Sequence, residues 1–588
     1  MSAETAQANA DAAATLVGAL VDGGVRDFVL SPGSRSTPLA LALAALEAAG
    51  RARVVVAVDE RVAAFIALGL SLPKRAPVGL ICTSGSAGAH YLPAFIEARR
   101  TGAPLIALTA DRPPELQGCG APQTVDQTRL FGAHAVHFFD PGPPAQGGAR
   151  VWGRAAVDAL RAATDRPGGP AHLNLPFREP LWSDGLRGNA ERVAECASVD
   201  VASASTEWPV GVSSAIERAR RPLIVCGAAR PDEETQAAVR ALAEAWGAPL
   251  LAEPISQLRF SRRTAAVLSS GEVLLRSAAF MAAQAPDLVV RVGGTPTTRT
   301  VQTFLAGCTA LQLGVSLDGL RADPMDRLSA WSDGAPLSAL RALRRVSPSV
   351  DTSGAWCRAW IDADDAASTS LRASVQGEFW SGSIMASVAQ RLADADALFV
   401  ASSMAVRDLD AFAPRRTVDV HVHANRGANG IDGTIATALG VALASGRRVV
   451  TLLGDVAFQH DVGALVAARG AGVDLTLVVT DNGGGAIFGF LPIASQTPHF
   501  DRYFLTPPEA DISALARAAG ATVHTCDSAD SLGRALDAAR AAPGLNVVHA
   551  RVDRVVDAAQ HRAAFAAATA AVESTLTSTT PFTPGATS

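Results

Sequence analysis

Nowhere in the chain are two cysteines spaced C-x-x-C, although seven are present (Cys82, Cys119, Cys196, Cys226, Cys308, Cys357 and Cys526). The sequence therefore offers neither a disulfide framework nor a thiolate zinc site, and a reducing cytoplasm is the expected compartment. Basic charge is not in excess either: 51 Lys and Arg face 56 Asp and Glu, for a net charge of −5. That balance provides no field for a polyanion, so nucleic acid is not an expected partner. No run reaches the roughly 20 apolar residues needed to cross a bilayer. The N-terminus, MSAETAQANADAAATLVGAL, lacks the cationic region of a secretory signal and reads as a short arm leading into a helix. What is present is material for several cores: 588 residues, 48% hydrophobic and 18% charged, enough for roughly three or four globular domains.

Short apolar runs alternate with longer Ala-rich segments, as in DFVLSPG, RVVVAVD, VGLICTSG and PLIALTADR. This alternation predicts βαβ units and an α/β fold of three doubly wound parallel-sheet domains, with functional loops at the carboxyl ends of strands. The blocks span residues 1–185, 206–347 and 375–560. The runs 54–58 and 475–479 have the length of buried parallel strands. Residues 561–588, Ala-rich and then STLTSTTPFTPGATS, hold little apolar surface to offset ordering entropy and read as a mobile tail. The middle block carries no G-x-G-x-x-G, so nothing there compels a flavin.

The most informative segment is VVTLLGDVAFQHDVGALVAARGAGVDLTLVVTDNGGGAIFGFLP. One strand ends at Gly454-Asp455, a helix follows, and a second strand ends at Asp481-Asn482. Both polar ends should emerge side by side at one sheet edge. A carboxylate, an amide oxygen and nearby backbone carbonyls are hard ligands suited to Mg2+, with diphosphate oxygens completing the shell. Glycines around them let the backbone approach phosphates. Gly-Asp after a strand also fits an ordinary α/β turn. In RVVVAVDERVAAFIALGL, Glu60 stands just past a strand at the start of an apolar helix. A carboxylate there commonly serves the helix N-terminus electrostatically, and that is the favoured reading for the residue alone; a fixed proton-holding role is the other.

The segment resembles the thiamine diphosphate (ThDP) enzymes, whose diphosphate motif is GDG followed by a second strand ending in Asn-Asn. Two positions depart: Val456 stands for the final glycine and Asp481 for the first asparagine. The resemblance implies ThDP and Mg2+ as cofactors, with Mn2+ as a substitute. It implies Asp455, Asn482 and the Gly484 carbonyl as metal ligands, with Gly454 and Val456 beside the diphosphate. Glu60 would hold the pyrimidine N1′ protonated, so that the cofactor's own 4′-imino nitrogen takes the thiazolium C2 proton. Because Glu60 and the diphosphate motif fall in different blocks, active sites built between two chains are implied, in a homodimer or homotetramer.

Within that superfamily, six segments resemble the 2-succinyl-5-enolpyruvyl-6-hydroxy-3-cyclohexene-1-carboxylate synthase family of menaquinone biosynthesis. They are SPGSRSTPLALAL (31–43), DERVAAFIALGL (59–70), TADRPPEL (109–116), GAPQTVDQ (120–127), NRGANGIDG (425–433) and NGGGAIFGFLP (482–492). The resemblance covers both outer blocks and is weak from 208 to 347. It implies decarboxylation of 2-oxoglutarate and 1,4-addition of the succinic-semialdehyde enamine to isochorismate. Both substrates are dicarboxylates, and arginine forks bind carboxylates in bidentate fashion. Carried over residue by residue, Ser34, Arg35, Arg112, Gln123, Ser403, Arg407 and Arg426 contact substrate or intermediate; of these Ser34, Arg35, Gln123, Arg407 and Arg426, with Glu60, supply the catalytic set, and Ser403 also borders the cofactor. Arg299 stands where the family has a Lys-Arg pair, with Thr300 following it. Ile431 resembles the aliphatic wedge that bends ThDP into a V, while Ile487, Phe488 and Leu491 would line an apolar floor that excludes water. Two other readings remain open. An acetolactate synthase-like carboligase or decarboxylase predicts an apolar acceptor pocket with fewer arginines, and a noncatalytic ThDP-fold ligand-binding protein predicts a missing Glu60 or missing metal ligands.

Overall fold

A computed structural model describes residues 2–191, 208–229, 231–261, 267–332, 335–351 and 353–578. The polar stretch at 192–207, Cys196 included, and the segment 579–588 lie outside the described residues. Three six-stranded sheets form, with every neighbouring pair of strands parallel. The first contains β1 (Asp27–Leu30), β2 (Arg53–Val56), β3 (Val78–Cys82), β4 (Leu105–Asp111), β5 (His137–Phe139) and β6 (Ala171–Pro176), in the order β2-β1-β3-β4-β6-β5. The second contains β7 (Pro222–Cys226), β8 (Leu250–Ala252), β9 (Val267–Leu268), β10 (Leu288–Val292), β11 (Leu311–Val315) and β12 (Ala330–Ser332), in the order β12-β11-β10-β7-β8-β9. The third contains β13 (Ala397–Val400), β14 (His421–His423), β15 (Val449–Gly454), β16 (Leu475–Asp481), β17 (Thr522–Cys526) and β18 (Leu545–Arg551), in the order β14-β13-β15-β16-β18-β17. The first and third sheets thus share one winding. The middle sheet has the other common doubly wound order, with ligand sites expected at the carboxyl edges of all three.

Central strands read as unbroken apolar runs because helices cover both faces: β3 and β4 are buried at every residue. The run 475–479 is buried as expected, but 54–58 is not. Its strand, β2, is the sheet edge, and Val56 and Val58 are 60% and 82% exposed. The helix Glu60–Ser71 crosses the helix Thr434–Ser445 so closely that a Cβ on Gly69 would lie 2.1 Å from Thr437 O, and one on Gly440 would lie 2.2 Å from Ile66 O. Only glycine permits that approach, and the crossing locks the first domain onto the third.

The mobile tail expected from residue 561 gives way to a helix, Arg554–Ser578, packed along the helix Ala355–Ser374. Ala564, Ala568 and Val572 recur at four-residue spacing and are buried. A stripe of small residues suffices because it lets the two helices approach closely. No helix among the described residues is long and apolar enough to cross a membrane.

Candidate active site

β15 and β16 are neighbours with Gly454 opposite Thr480, so Asp455 and Asn482 leave the sheet together. Asp455 is 1% exposed; its Oδ1 accepts from Val456 N at 2.7 Å and its Oδ2 from Gly484 N at 2.7 Å. Burial pushes this carboxyl up to about 7, against those two bonds and aided by the nearby Asp481; a bound cation would reverse that push. Gly484 has φ +125°, and a Cβ there would lie 2.1 Å from Leu505 O. Its carbonyl accepts from Ala486 N at 2.8 Å and keeps a second lone pair. The donors gathered here are a carboxylate, an amide and a backbone carbonyl, an all-oxygen set that fits a magnesium diphosphate. Val456 lies in the helix Asp455–His460, where the backbone needs no glycine. Asp481 is braced by His549 Nε2 at 2.8 Å, and that bond holds its carboxyl below the usual range. Ser513 Oγ lies 2.9 Å from the other ring nitrogen. The departure from Asn-Asn is thereby absorbed by a partner on β18.

At the carboxyl edge of the first sheet, Glu60 opens the helix Glu60–Ser71. The helix end is already capped by Asp59, which accepts from Arg61 N and Val62 N at 2.9 and 3.2 Å. The ordinary role of an acidic residue at this position is thus filled by its neighbour. Glu60 itself is half-buried, close enough to Cys82 and Tyr91 to add to the upward push that burial gives both groups. Arg35, 6% exposed, donates to Phe177 O at 3.0 Å and pairs with Glu179 at 2.9 Å. Arg112 lies beside it and carries a buried Nη1 with no partner among the described residues; burial and the neighbouring Arg35 lower its pKa. Adjacent guanidiniums with spare donors form an anion cradle. Gln123, at φ +55°, donates to Ser84 O at 3.0 Å. Ser34 is exposed beside Arg35.

Ser403 likewise has a positive φ, +66° with ψ −131°, at the residue preceding the helix Met404–Phe412, and its side chain makes no capping hydrogen bond. Such conformations cost about 1–3 kcal/mol and cluster at functional sites. Arg407 on that helix lines a cavity of about 1410 Å³ together with Arg299, Ile487 and Leu491. Thr300 donates to Glu272 at 3.2 Å, so the second member of the expected pair is committed elsewhere. Arg426 opens onto a different cavity, of about 950 Å³. Burial lowers its pKa; Glu253 and Glu97 oppose the drop and Arg407 adds to it. Ile431 is half-buried against the core. The closed apolar floor expected of Ile487, Phe488 and Leu491 is open in a single chain: Phe488 and Leu491 are 37% and 49% exposed.

The chain therefore assembles two sets of site residues, and among the described residues no hydrogen bond or ion pair joins Ser34, Arg35, Glu60, Arg112 and Gln123 to the set around Asp455 and Arg407. Three participants escaped the sequence. His549 braces Asp481, and a polar residue late in the strand-like GLNVVHARV was its only signal. Glu97, 3% exposed, accepts from Gly427 N and Ala428 N at 2.7 and 2.6 Å and so pins the loop that carries Arg426. His561 Nε2 reaches Asp408 Oδ1 at 2.8 Å, both side chains 3% exposed. The last two join residues far apart in the chain and leave no local pattern.

Residues 10–130 match the family described as thiamine pyrophosphate enzyme, N-terminal TPP binding domain, and residues 402–550 its C-terminal TPP binding domain. The chain is 42% identical over 574 residues to a 2-succinyl-5-enolpyruvyl-6-hydroxy-3-cyclohexene-1-carboxylate synthase of Myxococcus xanthus, covering 94% of this chain and 96% of that one. It is 35% identical to the synthase of the same name from Geobacillus thermodenitrificans, over 93% and 94% of the two chains. A solved structure of a candidate thiamin diphosphate-dependent enzyme from Mycobacterium smegmatis superposes with a TM-score of 0.67 at 19% identity, over 92% of this chain and 99% of that one, a likeness of fold. The chain belongs to the 2-succinyl-5-enolpyruvyl-6-hydroxy-3-cyclohexene-1-carboxylate synthase family of thiamine pyrophosphate enzymes.

Proposed function

We propose that this protein decarboxylates 2-oxoglutarate and joins the remaining four-carbon unit to isochorismate by 1,4-addition, forming 2-succinyl-5-enolpyruvyl-6-hydroxy-3-cyclohexene-1-carboxylate for menaquinone biosynthesis in the cytoplasm. The observation that supports the reading is the pairing of an oxygen-donor loop at Asp455 with arginines that have no carboxylate partner among the described residues in the adjoining cavity. ThDP, when bound, supplies the electron sink that makes loss of carbon dioxide and the new carbon–carbon bond accessible. Asp455, Asn482 and the Gly484 carbonyl hold the divalent metal, Mg2+ or Mn2+, and Gly454, Val456, Ser403 and Ile431 border the cofactor. Glu60 keeps a proton at the pyrimidine N1′, a task open to it because Asp59 already caps the helix. Ser34, Arg35, Arg112 and Gln123 orient substrate carboxylates from the first domain, and Arg299, Arg407 and Arg426 do so from the other two. An acetolactate-type pocket would be apolar where this one presents guanidiniums.

The two separate sets are brought together by a second copy, so the working unit is a homodimer or a pair of dimers. Exposed Val56 and Val58, beside Glu60, support a covered face there. Glu60→Gln is the direct test. ThDP binding, read by calorimetry, should persist while turnover falls at least about 100-fold; full turnover would overturn the assignment.

A further inference from the structure

One wall of the large cavity lies beyond the second matched family domain, which ends at residue 550. It is the terminal helix Arg554–Ser578, which contributes His561, Arg562, Phe565 and Glu573. The bond between His561 Nε2 and Asp408 Oδ1, 2.8 Å long and buried on both sides, fixes this helix against the helix Met404–Phe412. Their immediate neighbours, Arg562 and Arg407, both line the cavity.

All three carboxylates of the cavity wall are already engaged. Glu272 pairs with Arg276 at 2.6 Å, Asp408 with His561, and Glu573 accepts from Ser277 Oγ at 2.9 Å. Arg299, Arg407 and Arg562 are left without a carboxylate partner among the described residues. The Arg562 guanidinium lies 5.9 Å from the centre of the Phe490 ring. Phe490 ends the turn Ala486–Phe490 that follows the diphosphate motif. That cation–π contact draws the guanidinium toward the ring and leaves its N–H donors available to an anion. The helix beneath it is held by buried Ala564 and Ala568, so little order is lost when an anion docks.

We propose that Arg562 is a third carboxylate-binding residue of this cavity, acting with Arg299 and Arg407 on the dicarboxylate substrates and supplied by the terminal helix. The inference rests on the synthase reading above. 2-Oxoglutarate and isochorismate offer the same carboxylate chemistry, and the experiment separates them.

The test compares full-length wild type, Arg562→Gln and Arg562→Lys, each loaded with ThDP and Mg2+, by the KM and kcat for each substrate. Alongside, calorimetric titration with glutarate, a dicarboxylate without a reactive carbonyl, reads binding without turnover. Arg562→Gln should raise one KM about tenfold with kcat changed less than about threefold, and Arg562→Lys should recover part of the loss. A shift in the KM for 2-oxoglutarate, with weaker glutarate binding, assigns the donor carboxylate; a shift in the KM for isochorismate alone assigns the acceptor. Both KM values unchanged in Arg562→Gln would overturn the inference. If wild type consumes no isochorismate, the synthase reading fails separately. Glutarate binding then decides for Arg562, supporting the inference if the glutamine variant weakens it and overturning the inference if it does not.

Discussion

At the carboxyl edge of the first sheet the chain presents Glu60, Gln123 and the Arg35–Arg112 pair; at the same edge of the identically wound third sheet it presents Asp455, Asn482 and Gly484. One winding thus carries an acid beside paired guanidiniums in one copy and a loop of oxygen donors in the other. The difference is made entirely by the segments at the strand ends. After β2 comes a capped helix that leaves Glu60 unclaimed, and after β15 and β16 come backbone turns that fold onto Asp455. Winding decides where the sites are, and loop chemistry decides what each half does.

The sharpest way to break that comparison is complementation. Glu60→Gln and Asp455→Ala chains should each be inactive alone. Co-expressed, they should regain about a quarter of wild-type activity if each site takes one half from each chain of a symmetric dimer. No recovery would place both halves in one chain. Next in size is metal removal: a chelator should release ThDP and abolish turnover, and Mg2+ should restore both. Loss of metal without loss of cofactor would contradict the oxygen-donor loop. Smaller effects should separate the two arginines of the first domain. Arg112→Gln, with its unpartnered Nη1, should raise a substrate KM about tenfold at unchanged thermal stability. Arg35→Gln should also lower the melting temperature, because Arg35 ties Phe177 O and Glu179. Equal behaviour of the two variants would remove the distinction.

A stability effect with no direct bearing on turnover concerns the terminal helix. Burial alone would lower the His561 pKa, but Asp408, its hydrogen bond and then Asp557 outweigh it and raise the group to about 9. Burial raises Asp408 as well; with a second carboxylate facing the imidazole, the proton stays on the histidine. A raised pKa means stability that is fully present below about pH 6.5 and lost as pH climbs through 9, roughly 3 kcal/mol for this pair. Chemical denaturation of wild type and His561→Gln should therefore differ most below pH 6.5 and converge above 9. A constant difference across that range would refute the charged pair.

The α/β blocks and the central strands were legible because buried parallel strands are unbroken apolar runs and each ends in a polar turn. Asp455 and Asn482 were legible because adjacent parallel strands place their ends together. The exposure of β2 was not, since an apolar run does not say whether its cover lies in the same chain. The terminal helix was also missed: Ala564 and Ala568 carry almost no hydropathy signal, and their burial depends on the partner helix Ala355–Ser374. Glu97, His549 and His561 act across long sequence separations, where periodicity gives no information.

The most direct measurement mixes purified protein with ThDP, Mg2+, 2-oxoglutarate and isochorismate and tracks isochorismate loss together with the mass of the product. The account predicts that isochorismate disappears only when all components are present, with a product heavier by the four-carbon unit that remains after decarboxylation. Carbon dioxide released from 2-oxoglutarate or pyruvate while isochorismate stays intact would contradict it.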